Sequence, residues 1–244
     1  MKRRTWVGCV AAIAVVASYV TLHISRTEGL PPRDCTVRCA ELVWFAPSRG
    51  PGYEDVPLDD EVALPDSTSY LRRDLMMDIK YAAAKVARVS GGHPLALGDA
   101  SDRNGATPGT LDGEPRHPRN THVAGRDIDL GYYQRGTPDN HLRPICAHVA
   151  NGLEQWHCIA PPTSLDARRT ALFIGFLFES THVRIVGVDG AAAGPIRRAL
   201  QRECDAGTIE AGACARVHLG YETSNTGRLW YFGHHNHMHV SWRD

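Results

Sequence analysis

The chain has 244 residues, with 27 Lys+Arg against 27 Asp+Glu and 13 His, so it carries no formal net charge when histidine is neutral. That balance excludes the basic footprint of a nucleic-acid-binding protein. Beyond an apolar N-terminal segment, the chain has the length of one ordinary domain with a sizeable core.

Residues 1–29 read as a targeting segment, because Lys2-Arg3-Arg4 precede an almost uninterrupted apolar run from Trp6 to Leu22. The pattern fits a signal peptide or an N-terminal membrane anchor, and hence an exported or periplasmic protein. At about 17 residues the run is at the lower limit for a spanning helix, and no small-x-small cleavage site comes after it, so both readings stand. Cys9 lies at the start of the run, the wrong end for lipid attachment.

Residues 30–66 are rich in Pro, Gly and Asp and read as an irregular lead-in or linker, interrupted by the apolar run Leu42-Val43-Trp44-Phe45. From Ser67 the pattern changes. Leu71, Leu75, Ile79, Ala83 and Val86 recur at helical spacing and Gly91-Gly92 stop them, which predicts a helix of about 20 residues. A domain over 67–244 is expected. "HPLALGDAS" (93–101) reads as a short strand leaving on a polar turn, and 102–120 as a long loop of the functional or disordered kind.

"THVAGRDIDLGYY" (121–133) alternates Asp127 and Asp129 against Ile128 and Leu130 at strand period. Residues 164–179 predict a buried helix capped by Ser164 or Asp166, and "VRIVGVD" (183–189) a strand. Pro195 at a first helical position opens a helix Ile196–Arg202. "RLWYFGHHNHMHVSW" closes the chain as a Gly-interrupted strand pair or hairpin. Strands and helices that do not alternate regularly imply an α+β domain, with a small central antiparallel sheet flanked by helices.

Six cysteines lie beyond the targeting segment, an even number that reads as disulfides in an oxidising compartment. The neighbours Cys146/Cys158 and Cys204/Cys214 are the simplest pairs. Zinc thiolate ligation through Cys35-x3-Cys39 lacks a second pair at suitable spacing.

The chemistry concentrates in "FGHHNHMHVSW" (232–242), with four histidines in six positions. In a strand His237 and His239 point to one face, about 7 Å apart, while Met238 and Val240 point to the core. His235 shares that face by parity if the strand already runs there; His234 would sit at the turn made by Gly233. Such a pair suits one cation, or one ligand plus one catalytic neighbour. His122, where the long loop enters a strand, and Asp129, desolvated between Ile128 and Leu130, are the candidate partners; a carboxylate there is costly unless it meets a cation. The combination, with core-facing residues in register at both places, predicts a specific metal site on the sheet face, with zinc as the expected ion. Asp99 and Ser101 either orient a ligand or cap a turn. Arg103 and Arg126 either meet substrate carboxylates or are solvated. Tyr132, Tyr133, Trp230 and Tyr231 read as wall and core.

His122-x6-Asp129 followed far downstream by His237-x-His239 resembles the signature of the zinc peptidases grouped as lysostaphin, D-Ala-D-Ala peptidase and sonic hedgehog. "THVAGRDIDL" and "GHHNHMHV" look most like the penicillin-insensitive murein endopeptidases, over roughly residues 67–242, with Thr121 where that family carries Ser. The resemblance implies zinc (Zn2+) held by His122, Asp129 and His239, with His237 beside it as base and His234, in place of the parity-favoured His235, as auxiliary catalytic histidine. It implies a murein endopeptidase acting on peptidoglycan cross-links between D-Ala and a diamino acid. The alternatives are a carboxypeptidase trimming the stem peptide and a non-catalytic, zinc-stabilised cell-wall-binding module.

Overall fold

The computed structural model describes residues 29–46, 49–55, 68–111, 114–115, 117–118, 120–224 and 232–243. The apolar segment Trp6–Leu22 and the aromatic pair Trp230 and Tyr231 lie outside the described residues. In chain order the elements are β1 (Leu42–Trp44), β2 (Arg49–Gly50), β3 (Tyr53–Asp55), β4 (Tyr70–Arg72), α1 (Arg73–Ser90), β5 (Leu95–Leu97), β6 (Thr110–Leu111) and β7 (Glu114–Pro115). Next come β8 (Asp127–Gly131), β9 (Val149–Ala150), β10 (Leu153–Glu154), α2 (Ala167–Leu177), β11 (Val183–Gly187), α3 (Gly190–Asp205), α4 (Ala211–Arg216), β12 (Leu219–Gly220) and β13 (His237–Trp242). A 3-10 turn, Val123–Gly125, leads into β8.

The fold is mixed α/β, with a central sheet flanked by helices. Among the described residues that sheet has seven strands in the order β12-β11-β13-β8-β5-β3-β2. Its pairings are mostly antiparallel as expected, β11 with β13, β13 with β8, β8 with β5 and β3 with β2. At the edges β12 lies parallel to β11, and β3 parallel to β5. The difference has a plain cause: strands of two or three residues are too short to show a period-2 pattern. Part of the expected irregular lead-in is thus structured, since β3 extends the sheet and β1 pairs with β4.

The closing segment is no local hairpin. β13 threads between β11 and β8 as an interior strand, so its partners come from distant parts of the chain. Its alternation with β8 sorts the sheet into two faces. Met238 opposite Leu130 and Val240 opposite Ile128 are buried in one core with α1, α2 and α3. His237 opposite Gly131, His239 opposite Asp129 and Ser241 opposite Asp127 occupy the other face.

Helix α1 begins later than the periodicity predicts: Leu71 belongs to β4, paired with Val43, and the helix starts at Arg73. It stops where expected, at Gly91, whose φ of 61° is easily adopted by glycine. α2 is capped by Asp166, whose carboxylate accepts from the Arg169 N–H at 3.0 Å. It is buried from Arg169 to Leu177. Pro195 does not open its helix. α3 starts five residues earlier, at Gly190, because the Asp189 carboxylate accepts from the Ala191 N–H at 2.8 Å and so supplies a stronger start signal. Pro195 sits inside the helix, where its missing N–H forfeits one backbone hydrogen bond.

Cys146–Cys158 and Cys204–Cys214 are bonded as expected, and Cys35–Cys39 forms a third disulfide in place of any thiolate metal site. Three disulfides fit an oxidising, exported environment. Among the described residues no helix is long and apolar enough to cross a membrane.

Candidate metal centre

The site forms where β8 and β13 bring their polar faces together beneath the loop that precedes β8. Asp129 is its hub. One carboxylate oxygen, Asp129 Oδ1, lies 2.9 Å from His239 Nδ1, 3.6 Å from His122 Nε2 and 3.8 Å from His237 Nε2. These are three residues expected to hold metal and the one expected as base. His122, Asp129, His234, His237 and His239 all line one cavity of about 330 Å³.

Each imidazole is oriented by a neighbour. His122 donates its Nδ1 proton to the Ala100 carbonyl at 3.0 Å, which leaves Nε2 as a lone-pair donor facing Asp129. Its backbone is in the left-handed region, φ 56°, and is held there by the Asp127 carboxylate, which accepts from the His122 N–H at 3.0 Å. The other oxygen of Asp127 accepts from Ser241 Oγ and lies 3.2 Å from His239 Nε2. Asp127 therefore orients two proposed ligands at once, a role the sequence alone did not suggest. The signal was present in the Asp-x-Asp alternation, which puts Asp127 on the same face as Asp129.

The turn that carries His122 requires glycine. At Gly125, φ is +65° and a Cβ would meet Leu42 Cδ1 at 2.5 Å and the Arg72 N at 2.6 Å. The apolar run of the lead-in thus buttresses the metal-site loop.

Electrostatics favour neutral imidazoles at His122 and His237 beside an ionised Asp129, while His239 keeps its proton in the absence of a cation. Burial pushes His122 down to about 3 and also lowers His237. Burial would raise Asp129, but the imidazoles of His237, His122 and His239 outweigh it and hold the carboxyl well below its ordinary range. His239 is depressed by burial but held up at about 9 by its hydrogen bonds to Asp127 and Asp129. A carboxylate buried among imidazole nitrogens is donor chemistry suited to a divalent cation.

His234 lines the cavity with its ring 4.7 Å from that of His237, centroid to centroid. His235 does not: β13 begins only at His237, so strand parity does not reach back to it, and it faces the β9–β10 hairpin. The His234 carbonyl accepts from the Tyr132 hydroxyl at 3.0 Å, and that hydroxyl accepts from the Asp189 N–H at 2.9 Å. Tyr132, expected as core, also positions the histidine loop.

The structure adds His117, which the sequence places only inside the long loop. Its Nδ1 is 3.7 Å from Asp129 Oδ2, its Nε2 is 2.9 Å from Asp99 Oδ2, and its ring lies tilted by 32° against that of His122, centroids 3.9 Å apart. His117, His122 and Asp129 are close enough together to share one ion. No spacing rule marks it, because the intervening loop sets its position. Asp99 thus orients a histidine, while Ser101 donates to the Tyr70 carbonyl at 2.8 Å, a backbone tie. Among the described residues Arg184, not Arg103 or Arg126, is the arginine at the cavity. No protein-family model matches this chain, and no curated protein is similar enough to match it.

Proposed function

We propose that the chain is an exported zinc peptidase that cleaves peptide cross-links of peptidoglycan. The reading rests on one observation, the convergence of His122, His237 and His239 on a single oxygen of Asp129. The substrate and bond rest on the resemblance of "THVAGRDIDL" and "GHHNHMHV" to murein endopeptidases.

In this reading His122 Nε2, an Asp129 oxygen and His239 Nδ1 would hold the metal, and His117 is near enough to His122 and Asp129 to join them. When bound, zinc acidifies water and polarises a carbonyl. The remaining work belongs to the chain. Among the described residues no glutamate lines the cavity, so proton transfer falls to His237, whose burial keeps the ring neutral and able to accept a proton. His234, beside it, holds the carbonyl oxygen as charge develops. Arg184 would meet a substrate carboxylate, since stem peptides are acidic and this arginine lines the cavity.

The test uses the full chain incubated with purified cross-linked muropeptide dimers, with and without chelator, read by mass spectrometry. The expected result is conversion of dimer to two intact monomers, abolished by chelator and restored by zinc. Release of one terminal residue would replace the endopeptidase with a carboxypeptidase. An unchanged dimer with zinc bound would leave a binding module and overturn the enzyme.

A further inference from the structure

His234 and His235 are consecutive, yet they serve opposite sides of their loop. His235 donates its Nδ1 proton to the Trp156 carbonyl at 2.9 Å, which leaves Nε2 as a lone-pair donor 3.9 Å from Glu154 Oε1. Glu154 Oε2 is 2.6 Å from His148 Nδ1, and the imidazole rings of His148 and His235 are 4.9 Å apart, centroid to centroid. The ligand atoms of all three residues lie within 4.8 Å of one another.

We propose that His148, Glu154 and His235 form a second divalent-cation site, separate from the one around Asp129. Two nitrogens and a carboxylate oxygen select a borderline cation such as zinc over calcium or magnesium, which prefer oxygen alone. The ion takes the place of the proton shared by His148 and Glu154, and a small side-chain adjustment brings His235 Nε2 to it.

Three features of the local backbone support this. His235 is oriented by a carbonyl through Nδ1, as His122 is at the other site, the usual outer-shell arrangement of a ligating imidazole. Trp156 supplies that carbonyl from the left-handed region, φ 60°, and its N–H donates to Glu154 Oε1 at 2.7 Å. A tryptophan that is 65% exposed gains little packing from that strained conformation; its effect is to aim one backbone unit at two members of the cluster. Finally, Cys146–Cys158 encloses the β9–β10 hairpin, so His148 and Glu154 are presented by a closed and preorganised loop.

The bound ion ties the hairpin to the loop that carries His234. The Ile145 N–H already donates to the His235 carbonyl at 2.9 Å, and the metal adds a side-chain link beside it.

The experiment loads the full chain, with its disulfides formed, with 113Cd and records its 113Cd NMR spectrum. Two resonances are expected. Glu154→Gln, which keeps the hydrogen bond to Trp156, and His148→Ala should each remove one resonance and leave the other, while His122→Ala should remove the other. The readout does not involve activity, so it stands apart from the proposed hydrolysis. A single wild-type resonance that Glu154→Gln abolishes upholds the second site and counts against the first. A single resonance that survives Glu154→Gln and His148→Ala, or two that survive both, overturns the proposal.

Discussion

His239 and Asp129 stand directly opposite each other in the β13–β8 ladder, and the imidazole Nδ1 lies 2.9 Å from the carboxylate Oδ1. Cross-strand register thus brings together residues 110 positions apart in the chain. If His239 is a ligand, His239→Ala should lose stoichiometric zinc on dialysis while near-native circular dichroism is kept. Full zinc occupancy in this variant would remove it from the ligand set.

His237, one step along the same face, touches Asp129 more loosely at 3.8 Å. His237→Ala should keep zinc and the fold but lower the cleavage rate by roughly 10²–10⁴-fold, the usual contribution of a positioned acid or base. Undiminished turnover would show that the proton passes elsewhere.

Asp127 reaches both the His122 N–H and the His239 ring. Asp127→Asn should therefore weaken zinc binding by about 10–100-fold, as changes to residues that orient ligands do. Competition with a chromophoric chelator measures it, and an unchanged affinity would mean the ring holds its orientation without the carboxylate.

Gly125 is a purely conformational test. Gly125→Ala places a Cβ against Leu42 and the Arg72 backbone at positive φ, and should cost at least about 2 kcal/mol while also lowering zinc affinity, since the same turn carries His122. Urea unfolding with metal present and absent separates the two effects. Wild-type stability and affinity together would show that the turn relaxes freely.

Asp78, on the buried side of α1, is pushed up by burial to about 7 from an ordinary 3.8. The folded state holds this proton more tightly than the unfolded chain. The contribution to stability is therefore complete below about 4 and is lost as pH rises through about 7. Asp78→Asn should flatten this part of the pH–stability curve and stabilise the protein by about 1–3 kcal/mol at pH 8. Equal slopes for wild type and variant between pH 4 and 7 would locate the titrating group elsewhere.

What the sequence determined by itself was local and periodic. The two-residue alternation in "RDIDL" and "HMHV" set which side chains face the core and which face the cavity, because a strand allows only two sides. Helical spacing and caps located α1 and α2, and two near-neighbour cysteine pairs matched their disulfides. Tertiary structure decided what depends on distant chain. It made β13 an interior strand, brought His117 over His122 through a loop without a spacing signature, and turned His234 and His235 in opposite directions. The start of α3 at Gly190 was by contrast a local matter, set by the Asp189 cap two residues before Ala191. The physical reason is the same throughout. Side-chain direction within a strand is fixed by backbone geometry, whereas strand neighbours, loop paths and hydrogen bonds such as His235 to the Trp156 carbonyl depend on residues far away in the sequence.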